Sequence, residues 1–206
     1  MKCIAHRGYS LTHRDNSIEA IREAVHREYD GVEIDVRLCG TGELVLHHDV
    51  YIGDYFLGEL SLQKLREMGV CSLREVYDQV PEIGETLLLI DIKGNDLSVV
   101  KALETFYESE PIRDTIFCSF NRKIVYNLPQ RFKKGSTFET TFDPSEYDMV
   151  TRDLDAVVLH WTCLDHDFIT YCRVVGIKVY TYTHKEDKEL EYMYRYGVDG
   201  IITNGF

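Results

Sequence analysis

Two acidic side chains, one residue apart, interrupt an apolar run at Val32-Glu33-Ile34-Asp35-Val36. Side chains of a strand alternate between its faces, so Val32, Ile34 and Val36 share one face and Glu33 and Asp35 the other. If the aliphatic face packs on helices, both carboxylates point inward, where like charges repel unless a cation lies between them. Hard carboxylate oxygens suit Mg²⁺ or Ca²⁺. An edge strand with one solvated face would carry the same pattern without a metal. A second run, Leu87-Leu88-Leu89-Ile90-Asp91-Ile92-Lys93, has its charges only at the C-terminal end, on the face opposite Leu88, Ile90 and Ile92. Asp91 would complete a three-carboxylate set with Glu33 and Asp35. Lys93 would pair with those carboxylates or meet a substrate anion; a plain Asp–Lys pair at a strand end is the alternative. His6 and His47-His48-Asp49 end two further apolar runs. Imidazoles beside a carboxylate site suit general acid and general base work near neutral pH. Arg7 offers a fork of donors for a phosphoryl oxygen. Of the other histidines, His26 falls on a helix, His13, His166 and His184 on loops or caps, and His160 on a strand end.

Short apolar runs alternate along the chain with segments of helical period. Strands suited to a parallel set begin near 2, 32, 87, 115, 135, 156, 178 and 199. A hairpin strand over 43–48, entered through Gly40-Thr41-Gly42, is additional. The spacing predicts helices over 61–68, 72–79, 97–107, 121–129 and 144–152, with two more before Gly176 and Gly197. Residues 50–60 read as loop. The first helix is expected to start near Asn16, with Glu19 three residues on as a capping-box-like partner. Eight strands alternating with helices imply a (β/α)₈ TIM barrel, compact, with a small extra β-hairpin and no large insertion. An open doubly wound sheet is the other candidate, but Gly8 stands alone after the first strand and no G-x-G-x-x-G follows. No repeat, low-complexity tract or linker divides residues 1–206, which read as one domain.

Composition excludes several function classes. The 206 residues carry 23 Lys+Arg against 35 Asp+Glu, a net charge of −12. Such a surface repels nucleic acid and anionic membranes, while a local basic pocket still admits one phosphate group. No apolar stretch of about 18 residues is present, and the N-terminal residues lack the apolar core of a signal peptide. The expectation is a cytoplasmic protein acting on a small molecule, without stable membrane anchoring. The six cysteines form no C-x-x-C pair and read as free thiols.

Taken in order, these elements resemble the glycerophosphodiester phosphodiesterase family. Ile4-Ala5-His6-Arg7-Gly8 is similar to its His-Arg-Gly signature, and Asp15-Asn16-Ser17 to its Glu-Asn-Thr step. Glu33-Ile34-Asp35 and His48-Asp49 match its Glu-x-Asp and His-Asp elements. Leu89 to Lys93 resembles its third-ligand strand, Ser119-Phe120 a Ser-Phe step, and Gly197 to Asn204 its closing strand. The resemblance spans nearly the whole chain. It implies a TIM barrel that cleaves glycerophosphodiesters with one divalent ion, Mg²⁺ first and Ca²⁺ second, in glycerol and lipid metabolism. It implies Glu33, Asp35 and Asp91 as metal ligands, His6 and His48 as the acid–base pair, and Arg7, Lys93 and Tyr182 as substrate-binding residues. The chain departs from the family pattern at Asp91, where Glu is usual and the related spider-venom phospholipase D enzymes have Asp. It departs again at Tyr182, usually Trp, and at Asn204, usually Asp. A phospholipase D-like or lysophospholipase D-like enzyme on lipid phosphodiesters, and a non-catalytic phosphate-binding barrel, are the rival readings.

Overall fold

A computed structural model of the chain describes residues 1–205. Eight parallel strands form its centre: β1 (Lys2–His6), β2 (Gly31–Leu38), β6 (Leu87–Ile92), β7 (Thr115–Ser119), β8 (Lys133–Phe138), β9 (Ala156–His160), β10 (Lys178–His184) and β11 (Gly200–Thr203). They run in the order β1-β11-β10-β9-β8-β7-β6-β2, and β2 returns to β1, so the sheet closes into a barrel. Closure removes the sheet edges. Gly31 sits where the circle joins: a Cβ there would meet the Leu87 carbonyl oxygen at 2.9 Å and Ile4 at 3.3 Å. One extra strand, β3 (Leu44–Leu46), pairs antiparallel with the far end of β2.

Helices α1 (Ile18–His26), α2 (Leu62–Glu67), α3 (Leu73–Gln79), α4 (Ser98–Ser109), α5 (Arg122–Asn127), α6 (Tyr147–Thr151), α7 (His166–Val175) and α8 (Asp187–Tyr194) surround the barrel. Strand alternation divides the core accordingly. Val32, Ile34 and Val36 of β2 and Leu88, Ile90 and Ile92 of β6 face outward and pack with α1, α3 and α4. Their neighbours Leu87 and Leu89 face inward with Ile4, Ile116, Val158, Tyr180 and Ile202 and fill the barrel. The aliphatic face of β2 therefore meets helices, and Glu33 and Asp35 point inside.

Two local expectations need correcting. Asn16 is not the cap of α1; Ser17 is, its hydroxyl accepting from the Ala20 N–H. Asn16 instead turns back through a left-handed φ of 58°, a conformation Asn adopts more readily than most residues. Residues 50–60 are not plain loop: β4 (Tyr51–Ile52) and β5 (Tyr55–Phe56) form a small hairpin, and a 3₁₀ turn follows at Leu57–Glu59. Leu57 anchors it by burial with Cys39, Val45, Leu65 and Val70, a burial that no alternation in so short a segment foretells. The six cysteines are free thiols.

Candidate active site

The strand register assembles the site. Asp35 of β2 lies beside Asp91 of β6, and Glu33 of β2 beside His6 of β1. His6 and Asp91 lie at the C-terminal ends of β1 and β6, the end of a barrel where enzymes place reactive groups, and Glu33 and Asp35 are level with them on β2. Glu33, Asp35 and Asp91 each bring one oxygen to within 4.8 Å of the others. Arg7 and Lys93 reach the same cluster. Lys93 Nζ donates to Asp91 Oδ2 at 2.6 Å and lies 3.0 Å from Asp35 Oδ1. The Arg7 backbone N–H donates to Glu33 Oε2 at 3.0 Å, and Arg7 Nη1 donates to Asp15 Oδ2 at 3.0 Å. Arg7 Nε is 3.0 Å from Asp35 Oδ2, an ion-pair distance without hydrogen-bond alignment.

The turn after β1 delivers Arg7. Arg7 and Gly8 both have positive φ, 57° and 79°, and a Cβ on Gly8 would stand 2.5 Å from the Ala20 carbonyl carbon. Glycine there lets the turn lie directly on α1. The Asn16 N–H donates to the Arg7 carbonyl at 2.9 Å and closes the turn. The Asn16 side chain holds Asp35 from both sides: its amide donates to Asp35 Oδ2 at 2.8 Å and accepts from the Asp35 N–H at 3.0 Å.

Both predicted histidines enter the same cavity of about 410 Å³. His6 Nδ1 is 2.6 Å from Asn204 Oδ1 on the strand-end of β11, and His6 Nε2 is 4.0 Å from Glu33 Oε2. With the amide oxygen accepting, Nδ1 carries the proton and Nε2 is left basic. His48 Nδ1 pairs with Asp49 Oδ1 at 2.9 Å, and the His48 carbonyl accepts two bonds from Arg37, at 2.9 and 2.7 Å. His47 turns away, its Nε2 meeting the Tyr51 carbonyl at 3.1 Å. Tyr182 lines the same cavity with Phe120 and Glu139. Sequence reasoning thus missed the second tier: Asn16, Asn204 and Arg37 work through hydrogen bonds across 19, 198 and 11 residues. No local pattern marks such partners.

Burial and charge shape the electrostatics. Burial, then the charges of Asp35 and Asp91, push the Glu33 carboxyl well above the usual range. Burial also raises Asp91 against the opposing pull of Lys93. For Asp35 burial works upward too, but Lys93, Arg7 and the Asn16 bond outweigh it and hold it below its ordinary value. Burial, then the Arg7 charge, pushes His6 down to about 4, against the Asn204 bond. Three carboxylates therefore face two cations and a neutral imidazole. Asp91 Oδ1 is buried with no hydrogen-bond donor among the described residues. A buried oxygen without a donor and a carboxyl driven toward its neutral form are what a site for one divalent cation looks like before the cation's charge is added. The donor set is oxygen only, which selects a hard ion.

Known proteins share this fold. Residues 6–205 match the model of the glycerophosphoryl diester phosphodiesterase family. A glycerophosphodiester phosphodiesterase of Caldanaerobacter subterraneus subsp. tengcongensis is 25% identical over 98% of this chain and 93% of its own. Human glycerophosphodiester phosphodiesterase 1 is 26% identical over 63% of this chain and 46% of its own. A solved Oleispira antarctica phosphodiesterase, in complex with the product sn-glycerol-3-phosphate, superposes with a TM-score of 0.87 at 21% identity, covering 99% of this chain and 93% of that one. A glycerophosphodiester phosphodiesterase from Parabacteroides distasonis gives 0.88 at 22% identity, covering 98% and 92%.

Proposed function

The chain belongs to the glycerophosphoryl diester phosphodiesterase family, and on that premise we propose that it hydrolyses glycerophosphodiesters to an alcohol and glycerol phosphate with one divalent ion, Mg²⁺ before Ca²⁺. The observation that carries the reading is the meeting of three carboxylates, two imidazoles, Arg7 and Lys93 in one cavity. The product held by the Oleispira relative supports the substrate class. We assign residues 1–206 to this activity as one domain.

Glu33, Asp35 and Asp91 would hold the ion. Bound there, it would polarise a phosphoryl oxygen and offset its charge. Arg7 Nη2 has no partner among the described residues, and Lys93 Nζ has a third donor beyond its two carboxylates. Both are placed to receive phosphoryl oxygens, whose charge grows as the nucleophile adds. His6 is neutral near pH 7, with Nε2 basic, and takes the proton of the attacking hydroxyl. His48 gives a proton to the leaving alkoxide as the P–O bond breaks. Asn204 keeps the His6 tautomer, and Arg37 and Asp49 hold the His48 segment. The nucleophile is water or the neighbouring glycerol hydroxyl; ³¹P NMR of the products separates the two, since only the second passes through a cyclic phosphate.

The test is hydrolysis of glycerophosphocholine after EDTA treatment, with Mg²⁺, Ca²⁺ or Mn²⁺ restored. Activity should vanish with EDTA and return with Mg²⁺. An undiminished rate in EDTA would remove the metal from the reading, and no hydrolysis under any condition would remove the enzyme.

A further inference from the structure

Lys93 lies one residue past the end of β6, and its main chain is held from two sides. The peptide that joins Ile92 to Lys93 gives its N–H to the Val36 carbonyl of β2 at 2.9 Å. The oxygen of the same peptide accepts from Ser119 Oγ of β7 at 2.6 Å. Ser119 is 1% exposed, and its hydroxyl also accepts from the Asn121 N–H at 3.0 Å. The Asn121 side chain works in two directions. Its oxygen accepts from the Lys123 N–H at 3.1 Å and caps α5. Its amide nitrogen donates to the Gly94 carbonyl at 3.3 Å and to Asn95 Oδ1 at 3.1 Å. The carbonyls before and after Lys93 are thus both tied to the segment that leaves β7.

We propose that Ser119 and Asn121 are positioning residues, which clamp the Lys93 turn and so set where its ammonium group meets the phosphoryl oxygens. The proposal rests on the hydrolase reading above and adds to it two residues that do not themselves line the cavity. Lysine is a point charge on a flexible stem, so it occupies one place only where main chain and head are both held. The Lys93 head meets Asp91 Oδ2 at 2.6 Å and Asp35 Oδ1 at 3.0 Å. Both carboxylates are also assigned to the metal, whereas the main-chain anchor is shared with no other ligand.

Burial gives the Ser119 hydroxyl its force, because a hydrogen bond screened from water is stronger than one in it. Removing the hydroxyl takes a partner from the Ile92 carbonyl and from the Asn121 N–H together. The turn is then free to shift, and a catalytic group displaced by about 1 Å loses up to about 10²-fold in rate.

The experiment measures kcat/KM for glycerophosphocholine with the Mg²⁺-loaded full chain, as wild type, Ser119→Ala, Lys93→Met and the double variant. Ser119→Ala should lower kcat/KM about tenfold, part of what full misplacement costs. With Lys93 gone the clamp has nothing to position, so Ser119→Ala should cost nothing further in the Lys93→Met background. An equal loss in both backgrounds overturns the proposal, and so does a wild-type rate in Ser119→Ala. Should Ser119→Ala not fold, Asn121→Ser carries the same comparison: it keeps a cap for α5 but is too short to reach Gly94 and Asn95. If the wild type cleaves no glycerophosphodiester, the hydrolase reading fails instead, and NMR decides the clamp. The ¹³Cε–¹Hε signal of Lys93, assigned by its loss in Lys93→Met, should move toward the position of exposed lysines in Ser119→Ala and Asn121→Ser; an unmoved signal overturns the clamp.

Discussion

His6 and His48 share a cavity but are held differently, and the difference sets what each mutation should do. His6 is wedged between Asn204 and Glu33. His48 stands on an exposed segment whose carbonyl Arg37 grips. Replacing either with Ala should lower kcat by about 10²–10⁴, the usual worth of one proton-transfer group. Circular dichroism should remain that of the wild type, and near-normal turnover would strike that histidine from the mechanism. Asn204 gives a sharper test. Its amide is neutral, and His6 stays depressed to about 4. Asn204→Asp puts a negative charge on Nδ1–H, which favours the imidazolium and raises that value. The acidic limb of kcat/KM should therefore move to higher pH. A limb that stays in place would mean that His6 is not the group being titrated. The three carboxylates and the two histidines of the cavity were legible because their polarity breaks apolar runs. Asn16 and Asn204 were not legible in these roles, since an asparagine near a helix start or chain end reads as a cap or turn.

At the scale of elements, the turn from β1 into α1 carries the most constraint. Gly8 has φ of 79° and no room for a Cβ, with α1 backbone atoms 2.5 and 2.7 Å from where one would be. Backbone cannot yield as a flexible side chain does. Gly8→Ala should cost roughly 1–3 kcal/mol in urea unfolding. It should also weaken metal binding, because the same turn sets the Arg7 N–H on Glu33 and the Asn16 pair on Asp35. Loss of stability with unchanged metal affinity would show that the turn and the site are independent. The strands were readable from their alternation, and β2 and β6 keep the expected division between helix-facing and barrel-facing residues. The β4–β5 hairpin was not, because four strand residues of mixed burial have no period to read.

For the whole molecule, the central balance is three inward carboxylates against two cations. Any ion bound only by the folded state stabilises it, by about 2.7 kcal/mol at a hundred times Kd. Thermal unfolding with rising Mg²⁺ should show an increasing Tm, and Glu33→Gln should abolish that increase. A Tm in the variant that still climbs with Mg²⁺ would place the ion elsewhere. The sign of the pH effect follows from the same groups. Glu33 and Asp91 are raised in the metal-free fold, so they hold protons at a pH where free carboxylates have lost them. Binding an ion must expel those protons. Mg²⁺ affinity should fall as pH is lowered. Calorimetry in two buffers of different ionisation enthalpy should register proton release; identical heats in the two would argue that the carboxylates are already ionised.

By itself the sequence determined the alternation of strands and helices, the inward face of β2 and β6, and the residue types at the strand ends. These are local properties, set by side-chain period and by the cost of burying charge. The tertiary structure decided which strand ends meet. Pairing of β11 with β1 brings Asn204 to His6, and the register of β2 on β6 sets Asp35 beside Asp91, while the ends of β7 and β8 and strand β10 bring Phe120, Glu139 and Tyr182 together. Those distances depend on strand register and barrel closure, which arise from packing across the whole chain and leave no mark at any one position.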